Sequence, residues 1–188
     1  MIFILYVRYW ILKNDIEKVV LSAEQIEGIC KRLGEQISRD YEGKNPLFIG
    51  LLKGCEPFIS DLLKFVSIYC QIEYMRVSSY EGTLSSGHII IKSDINCDLT
   101  GRDVIVVDDI VDTGRTTLYI RELLKKRGAK SVAVCCLLDK PEGRLVDVDV
   151  EYIGDNIPKE FVVGYGLDYN ERYRNLPYIG VLKEEIYK

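Results

Sequence analysis

Histidine occurs once in these 188 residues, at His88. That scarcity removes Ser-His-Asp triads with a second histidine, His-Glu-x-x-His zinc sites and multi-histidine metal centres, and leaves His88 as a structural residue. Paired cysteine motifs are missing as well. Cys30, Cys55, Cys70, Cys97, Cys135 and Cys136 form no Cys-x-x-Cys, and several lie in apolar runs where a free thiol packs as a small hydrophobe. The expectation is a reduced, cytoplasmic protein. Excess basic charge is lacking: 25 Lys and Arg stand against 29 Asp and Glu, the formal net charge is −4 and the pI is near 5.2. No Lys/Arg run is dense enough to neutralise a polyanionic backbone, so nucleic acid is not expected as a partner. Gly-x-x-x-x-Gly-Lys-Ser/Thr and Gly-x-Gly-x-x-Gly are both absent, which argues against P-loop triphosphate and dinucleotide sites.

Long apolar runs are also lacking. Met1 to Leu12 (MIFILYVRYWIL) falls far short of the ~20 residues of a spanning helix and contains Arg8. It has no basic leader or small-residue cleavage site, so no membrane partner is expected. An added edge strand, an association surface, or a start codon placed too far upstream would each account for it.

What is present is a chain with 47% hydrophobic residues, enough to bury one good core and too short for two comfortable domains. Ser22 and Gln25 form a capping-box pattern ahead of Ile26, Ile29, Cys30, Leu33 and Ile37 at helical spacing, which predicts a helix near 22–40. Pro46 to Leu52 reads as a buried strand ending in Lys53-Gly54, and Phe58, Ile59, Leu62, Leu63 and Phe65–Val66 as a second helix. Ile68 to Val77 and His88 to Lys92 are β-like, with a polar, mobile loop from Ser78 to Gly87 between them. Val104–Val107 is a β-branched run, Thr116 to Arg127 a helix stopped by Gly128, and Ser131 to Leu138 another buried strand. Buried strands alternating with amphipathic helices predict an α/β fold: a mainly parallel central sheet flanked by helices, with ligand at the carboxyl ends of its strands.

The most informative stretch is Val104 to Thr117, VIVVDDIVDTGRTT. The amides of Asp112 to Thr116 would face the space above a helix N-terminus, where unpaired N–H groups and the helix dipole favour an anion such as phosphate, and Gly114 permits a tight nest. Asp108 and Asp109, at the strand end, could accept hydrogen bonds from a ribose diol while sharing Mg²⁺. The plainer reading is that Asp112 or Thr113 caps the helix and the acid pair is solvated.

Val104–Thr117 resembles the phosphoribosyl pyrophosphate (PRPP) signature of type I phosphoribosyltransferases. Leu137–Lys140 and FVVGYGLDYNERYRNLPYIGVL (Phe161 to Leu182) resemble the hypoxanthine-guanine branch of that family, particularly its bacterial members. Together the matches cover nearly everything after Asp15. The resemblance implies a single domain over 1–188, with a core of about 41–140 and a small hood subdomain from the N-terminal segment and about 141–188. It implies transfer of the 5-phosphoribosyl group from PRPP to a 6-oxopurine, with Mg²⁺, as a homodimer or homotetramer.

Residue by residue, the resemblance implies that the 5-phosphate rests on Asp112, Thr113, Gly114, Arg115 and Thr116, and that Asp108 and Asp109 face the ribose hydroxyls and metal. It makes Asp112 the base near purine N7. Lys53, Gly54 and Arg174 match pyrophosphate contacts, Ser79 and Tyr80 a lid, Lys140 the purine O6 contact, and Phe161 the stacking aromatic. Main-chain groups at Val162 and Asp168 would read the ring edge, and the Asp168 side chain resembles a second metal contact. In this family the peptide joining Leu52 and Lys53 can be cis. Asp108 departs from the pattern where glutamate is common, Arg115 where lysine is frequent, and Glu81–Leu84 where small polar residues are expected.

Taken singly, Phe-Val-Val reads as a core strand, Lys140 as solvated, and Lys53 and Arg174 as surface ion pairs. Their order and spacing favour the site. A PRPP-sensing regulator binding nucleic acid on the same fold, and an enzyme taking xanthine, are the competing readings. An acidic chain that keeps Asp112, Lys140 and Asp168 speaks against the regulator.

Overall fold

The computed structural model describes residues 14–79 and 89–188. The first thirteen residues, His88, Tyr80 and Glu81–Leu84 lie outside that description. Among the described residues no helix is long and apolar enough to cross a membrane.

The elements are β1 (Ile16–Leu21), α1 (Ala23–Asp40), β2 (Leu47–Leu52), α2 (Glu56–Leu63), β3 (Gln71–Ser79), β4 (Ile89–Ser93), β5 (Asp103–Val111), α3 (Arg115–Lys126), β6 (Ser131–Asp139), β7 (Tyr152–Asn156), β8 (Val162–Val163), β9 (Ile179–Leu182) and α4 (Glu184–Tyr187). A six-stranded sheet runs β4-β3-β2-β5-β6-β7, parallel throughout except for β4, which pairs antiparallel with β3. A small antiparallel sheet has the order β1-β9-β8. This is the mainly parallel, helix-flanked sheet that the alternation of elements predicted.

Alternating residues of each central strand feed opposite faces of the large sheet, as the two-residue strand period requires. Phe48, Ile105, Val107, Cys135 and Leu137 pack with Ile26, Cys30, Leu33 and Ile37 of α1 and Phe58, Ile59 and Leu62 of α2. Ile49, Val104, Val106, Val134 and Cys136 pack on the other face with Ile120 and Leu124 of α3. With both faces covered, Val104–Val107 of β5 and Val132–Leu138 of β6 read as continuous apolar runs. Each aliphatic side chain so buried stabilises the fold by roughly 1.5–3 kcal/mol. All six cysteines are free; Cys30, Cys55, Cys135 and Cys136 are buried in these layers.

Helix α1 starts where the Ser22–Gln25 box predicts. The Ser22 hydroxyl accepts from the Gln25 amide at 3.3 Å, and the Gln25 side chain accepts from the Ser22 amide at 2.8 Å. Helix α3 ends in a left-handed Gly128 (φ 92°), with Ala129 N–H donating to Leu124 O and Gly128 N–H to Lys125 O.

Two strands are longer than the apolar runs suggest. β3 continues through Ser78 and Ser79, because antiparallel pairing with Ile89 and Ile90 of β4 satisfies its backbone where the side chains are polar. β5 continues past Val107 to Val111, paired with Asp108↔Cys136 and Ile110↔Leu138 in register with β6. Asp108 and Asp109 are therefore strand residues and do not sit in the loop beyond it.

Candidate active site

The carboxyl ends of β2, β3 and β5 open into a cavity of about 520 Å³. Its walls are Leu51–Gly54, Val77 and Ser78, Asp108–Gly114, Thr116 and Thr117, with Asp168 and Arg174 from the segment between β8 and β9. Ten of the predicted residues thus share one space: Lys53, Gly54, Asp108, Asp109, Asp112, Thr113, Gly114, Thr116, Asp168 and Arg174. Arg115 does not line it; its side chain is exposed on the first turn of α3.

The turn between β5 and α3 is built as an open nest. Gly114 adopts φ 79° at the N-cap and contributes no side-chain cap; the Arg115 amide has only a long contact, 3.4 Å, to the Thr113 hydroxyl, and a helix start capped this weakly favours an anion. The segment after β6 holds this turn in place. Arg144 donates to Val111 O at 2.8 Å and Asp112 O at 2.6 Å and pairs with the buried carboxylate of Asp139. Leu145 N–H donates to Thr113 O at 3.0 Å. Arg144 was not foreseen, since an arginine following Lys-Pro-Glu-Gly carries no periodic signal.

Asp108 and Asp109 are half-buried and adjacent. The Asp109 amide donates to Asp108 Oδ1 at 3.1 Å, and the Ile110 amide to Asp109 Oδ1 at 3.0 Å. Burial, then the charge of Asp109, pushes the Asp108 carboxyl well above the usual carboxylate range. Burial also raises Asp109, opposed by hydrogen bonds from Asp108 and the backbone and by the charge of Arg174. Two crowded carboxylates in a poorly solvated wall are suited to a divalent cation. Among the described residues no three acidic, cysteine or histidine groups form a ready-made metal cage. The donor set fits magnesium held by one or two carboxylates with the rest of its shell taken from substrate oxygens and water.

The turn after β2 brings Lys53 to the cavity through a cis Leu52–Lys53 peptide. Gly54 lies against Asp109, where a Cβ would collide with the carboxylate, and the Gly54 carbonyl lies against Gly166, where a Cβ would strike it. Lys53 Nζ pairs with Glu171 at 2.9 Å, and Arg174 pairs with Asp168 at 2.7 Å and Glu171 at 3.4 Å. Arg174 also donates to Gly166 O at 2.6 Å. Glu171 too was missed, because an exposed acid inside a polar run looks solvated.

Lys140, Phe161 and Val162 do not line the cavity; Asp112 connects Lys140 to it. Lys140 is 7% exposed and donates to Glu160 O at 2.7 Å, with Asp112 Oδ2 at 3.8 Å. Burial draws its pKa below the ordinary lysine value, against the charges of Asp112 and Glu160. Phe161 is exposed, stacked on Tyr187 at 4.8 Å and edge-on to Tyr169 at 5.7 Å. Val162 is buried in β8 beside it. Ser79 closes β3, and Tyr80 lies outside the described residues.

A strand-borne acid pair, a weakly capped helix start and two cations across the cavity have the chemistry to suit a phosphorylated sugar. Residues 18–170 match the family model described as a phosphoribosyl transferase domain, and the chain belongs to that family. The hypoxanthine-guanine phosphoribosyltransferase of Streptococcus agalactiae (serotype V) is 55% identical over 177 residues, 94% of this chain and 98% of that protein. A bifunctional protein TilS/HprT of Listeria monocytogenes (serotype 4b) is 53% identical over 177 residues, 94% of this chain and 27% of the relative. A hypoxanthine phosphoribosyltransferase from Staphylococcus aureus superposes with a TM-score of 0.91 at 47% identity, covering 95% of this chain and 97% of that one. These relatives place the chain in the hypoxanthine-guanine branch.

Proposed function

We propose that the protein is a purine-salvage transferase that moves the 5-phosphoribosyl group of PRPP to hypoxanthine or guanine, giving IMP or GMP and pyrophosphate. The observation that carries this reading is the position of Asp112, which lines the phosphate-nest cavity while its carboxylate faces the buried ammonium of Lys140 at 3.8 Å. One acid thereby stands between a sugar-phosphate space and a base-recognition cation.

In this reading the nest from Asp112 to Thr116 holds the 5-phosphate, with Arg115 contributing its backbone amide. Asp108 and Asp109 accept from the ribose hydroxyls. A purine ring nitrogen attacks ribose C1 as the bond to pyrophosphate breaks, through an oxocarbenium-like state, and Asp112 takes up the proton that the purine loses. Lys53, Gly54 and Arg174 bind the departing pyrophosphate. Magnesium, held by Asp108, Asp109 and Asp168 together with the donor, would supply neutralisation of the leaving charge.

Lys140 donates to the purine O6. Adenine would present an amino donor to the same ammonium, a mismatch of two donors that polar sites reject strongly. Phe161 stacks on the base, and the main chain at Val162 and Asp168 reads its edge. The segment containing Ser79 and Tyr80 closes over the donor to exclude water.

The chain acts as one domain, core and hood together, in the cytoplasm as a homodimer or homotetramer. The deciding experiment measures pyrophosphate release from PRPP with hypoxanthine, guanine, xanthine and adenine. Turnover with the first two and rejection of adenine is expected; adenine as best substrate would overturn the role of Lys140, and no turnover with any base would overturn the reading.

A further inference from the structure

Two cations of the cavity wall, Lys53 and Arg174, share an anion of the protein's own. Glu171 Oε2 lies 2.9 Å from Lys53 Nζ and 3.4 Å from both Nε and Nη2 of Arg174. The two cations come from different sheets, and Glu171 is 118 positions from Lys53 along the chain. A tight turn brings the three groups together. Asn170 and Glu171 both take left-handed backbone angles, φ 51° and 59°, which side-chain-bearing residues seldom adopt. The turn is fixed by the Glu171 amide donating to Asp168 Oδ2 at 2.9 Å, while Asp168 Oδ1 holds Arg174 at 2.7 Å.

Folding stability gives little reason for this arrangement. The Lys53–Glu171 side chains are 44% and 62% exposed, and pairs that exposed contribute little to stability. The hydrogen bond from Lys53 does most to hold the Glu171 carboxyl below its ordinary value; desolvation opposes it, and the charges of Arg174 and Lys53 add to it. With an ammonium at 2.9 Å and a guanidinium at 3.4 Å, this exposed carboxylate stands as an anion between two cations.

We infer that Glu171 is an internal counter-anion, resting on Lys53 and Arg174 where the pyrophosphate group of the donor is to bind, and released from them when the donor arrives. This rests on the reading of Lys53 and Arg174 as pyrophosphate contacts. Donor binding must then break two ion pairs before it makes its own, which weakens the apparent affinity for PRPP. As pyrophosphate departs, the carboxylate reclaims both cations, which favours release. Glu171 acts through Lys53 and Arg174, so it is a positioning residue and not a catalytic one.

The test is Glu171→Gln in the full chain with Mg²⁺, followed by initial rates against PRPP and hypoxanthine and product inhibition by pyrophosphate. The KM for PRPP and the inhibition constant for pyrophosphate should each fall roughly three- to tenfold, while the KM for hypoxanthine stays within about twofold of wild type. Glu171→Asp keeps the charge but shortens its reach, and should shift both constants the same way by less. An unchanged or raised KM for PRPP in Glu171→Gln would overturn the inference, as would failure of both variants to fold, which would make the residue structural. Failure of the underlying site assignment looks different: Lys53→Ala would then leave the KM for PRPP and pyrophosphate inhibition at wild-type values.

Discussion

Lys140 Nζ stands 3.8 Å from Asp112 Oδ2 and hydrogen-bonds Glu160 O at 2.7 Å, in a position only 7% exposed. An ammonium taken that far out of water needs partners, and one acceptor, Glu160 O, and one counter-charge, Asp112, are already supplied. Of its three protons at least one remains for a ligand oxygen, which ties base recognition to the acid that faces the sugar-phosphate space.

Replacing Asp112 by asparagine keeps the size of the side chain and removes the proton acceptor. Turnover should fall by ~10²–10⁴ at similar PRPP affinity. Steady-state kinetics with hypoxanthine check this, and a variant with full turnover would remove Asp112 from the chemistry.

Lys140→Met retains much of the packing and loses the donor. The specificity constant for hypoxanthine should drop by ~10²-fold while that for adenine does not fall in step, narrowing the discrimination between them. Competition between the two bases in one assay measures the ratio directly.

The Asp108 carboxyl is held well above its ordinary value of 3.8 by burial and by Asp109. A raised pKa means that the folded state binds this proton more tightly than the unfolded chain. The associated stability is fully present below about pH 3.8 and is lost as pH rises through the folded value. Asp108→Asn should therefore raise Tm at pH 7 and change it much less near pH 3. Equal Tm shifts at both pH values would contradict the repulsion, since the pH dependence is its signature.

Gly54→Ala puts a methyl group into the space of the Asp109 carboxylate. The side chain or the turn must shift, at a cost of ~1–3 kcal/mol, and the KM for PRPP should rise with it. Thermal unfolding and PRPP titration together check the two effects.

The large sheet was legible because Val104–Val107 of β5 and Val132–Leu138 of β6 are buried on both faces and so read as unbroken apolar runs. The α1 boundary was legible because Ser22 and Gln25 satisfy each other's backbone. Where strands were underestimated, at Asp108–Val111 and at Ser78–Ser79, ladder pairing overrode side-chain polarity, and composition carries no trace of that pairing. Motif residues on the acidic turn could be placed by local spacing alone. Glu171 and Arg144 could not, since each acts across more than thirty positions of chain, Arg144 on Val111 and Glu171 on Lys53.

Gly54 and Gly166 meet main chain to main chain, with no side chain between them to rotate aside. A displacement of the loop bearing Asp168 and Arg174 has no soft element there to absorb it, and must be passed on to the turn that carries Lys53. The two halves of the pocket are in this sense mechanically geared: whatever seats itself against one strand end sets the reach of the lysine on the other.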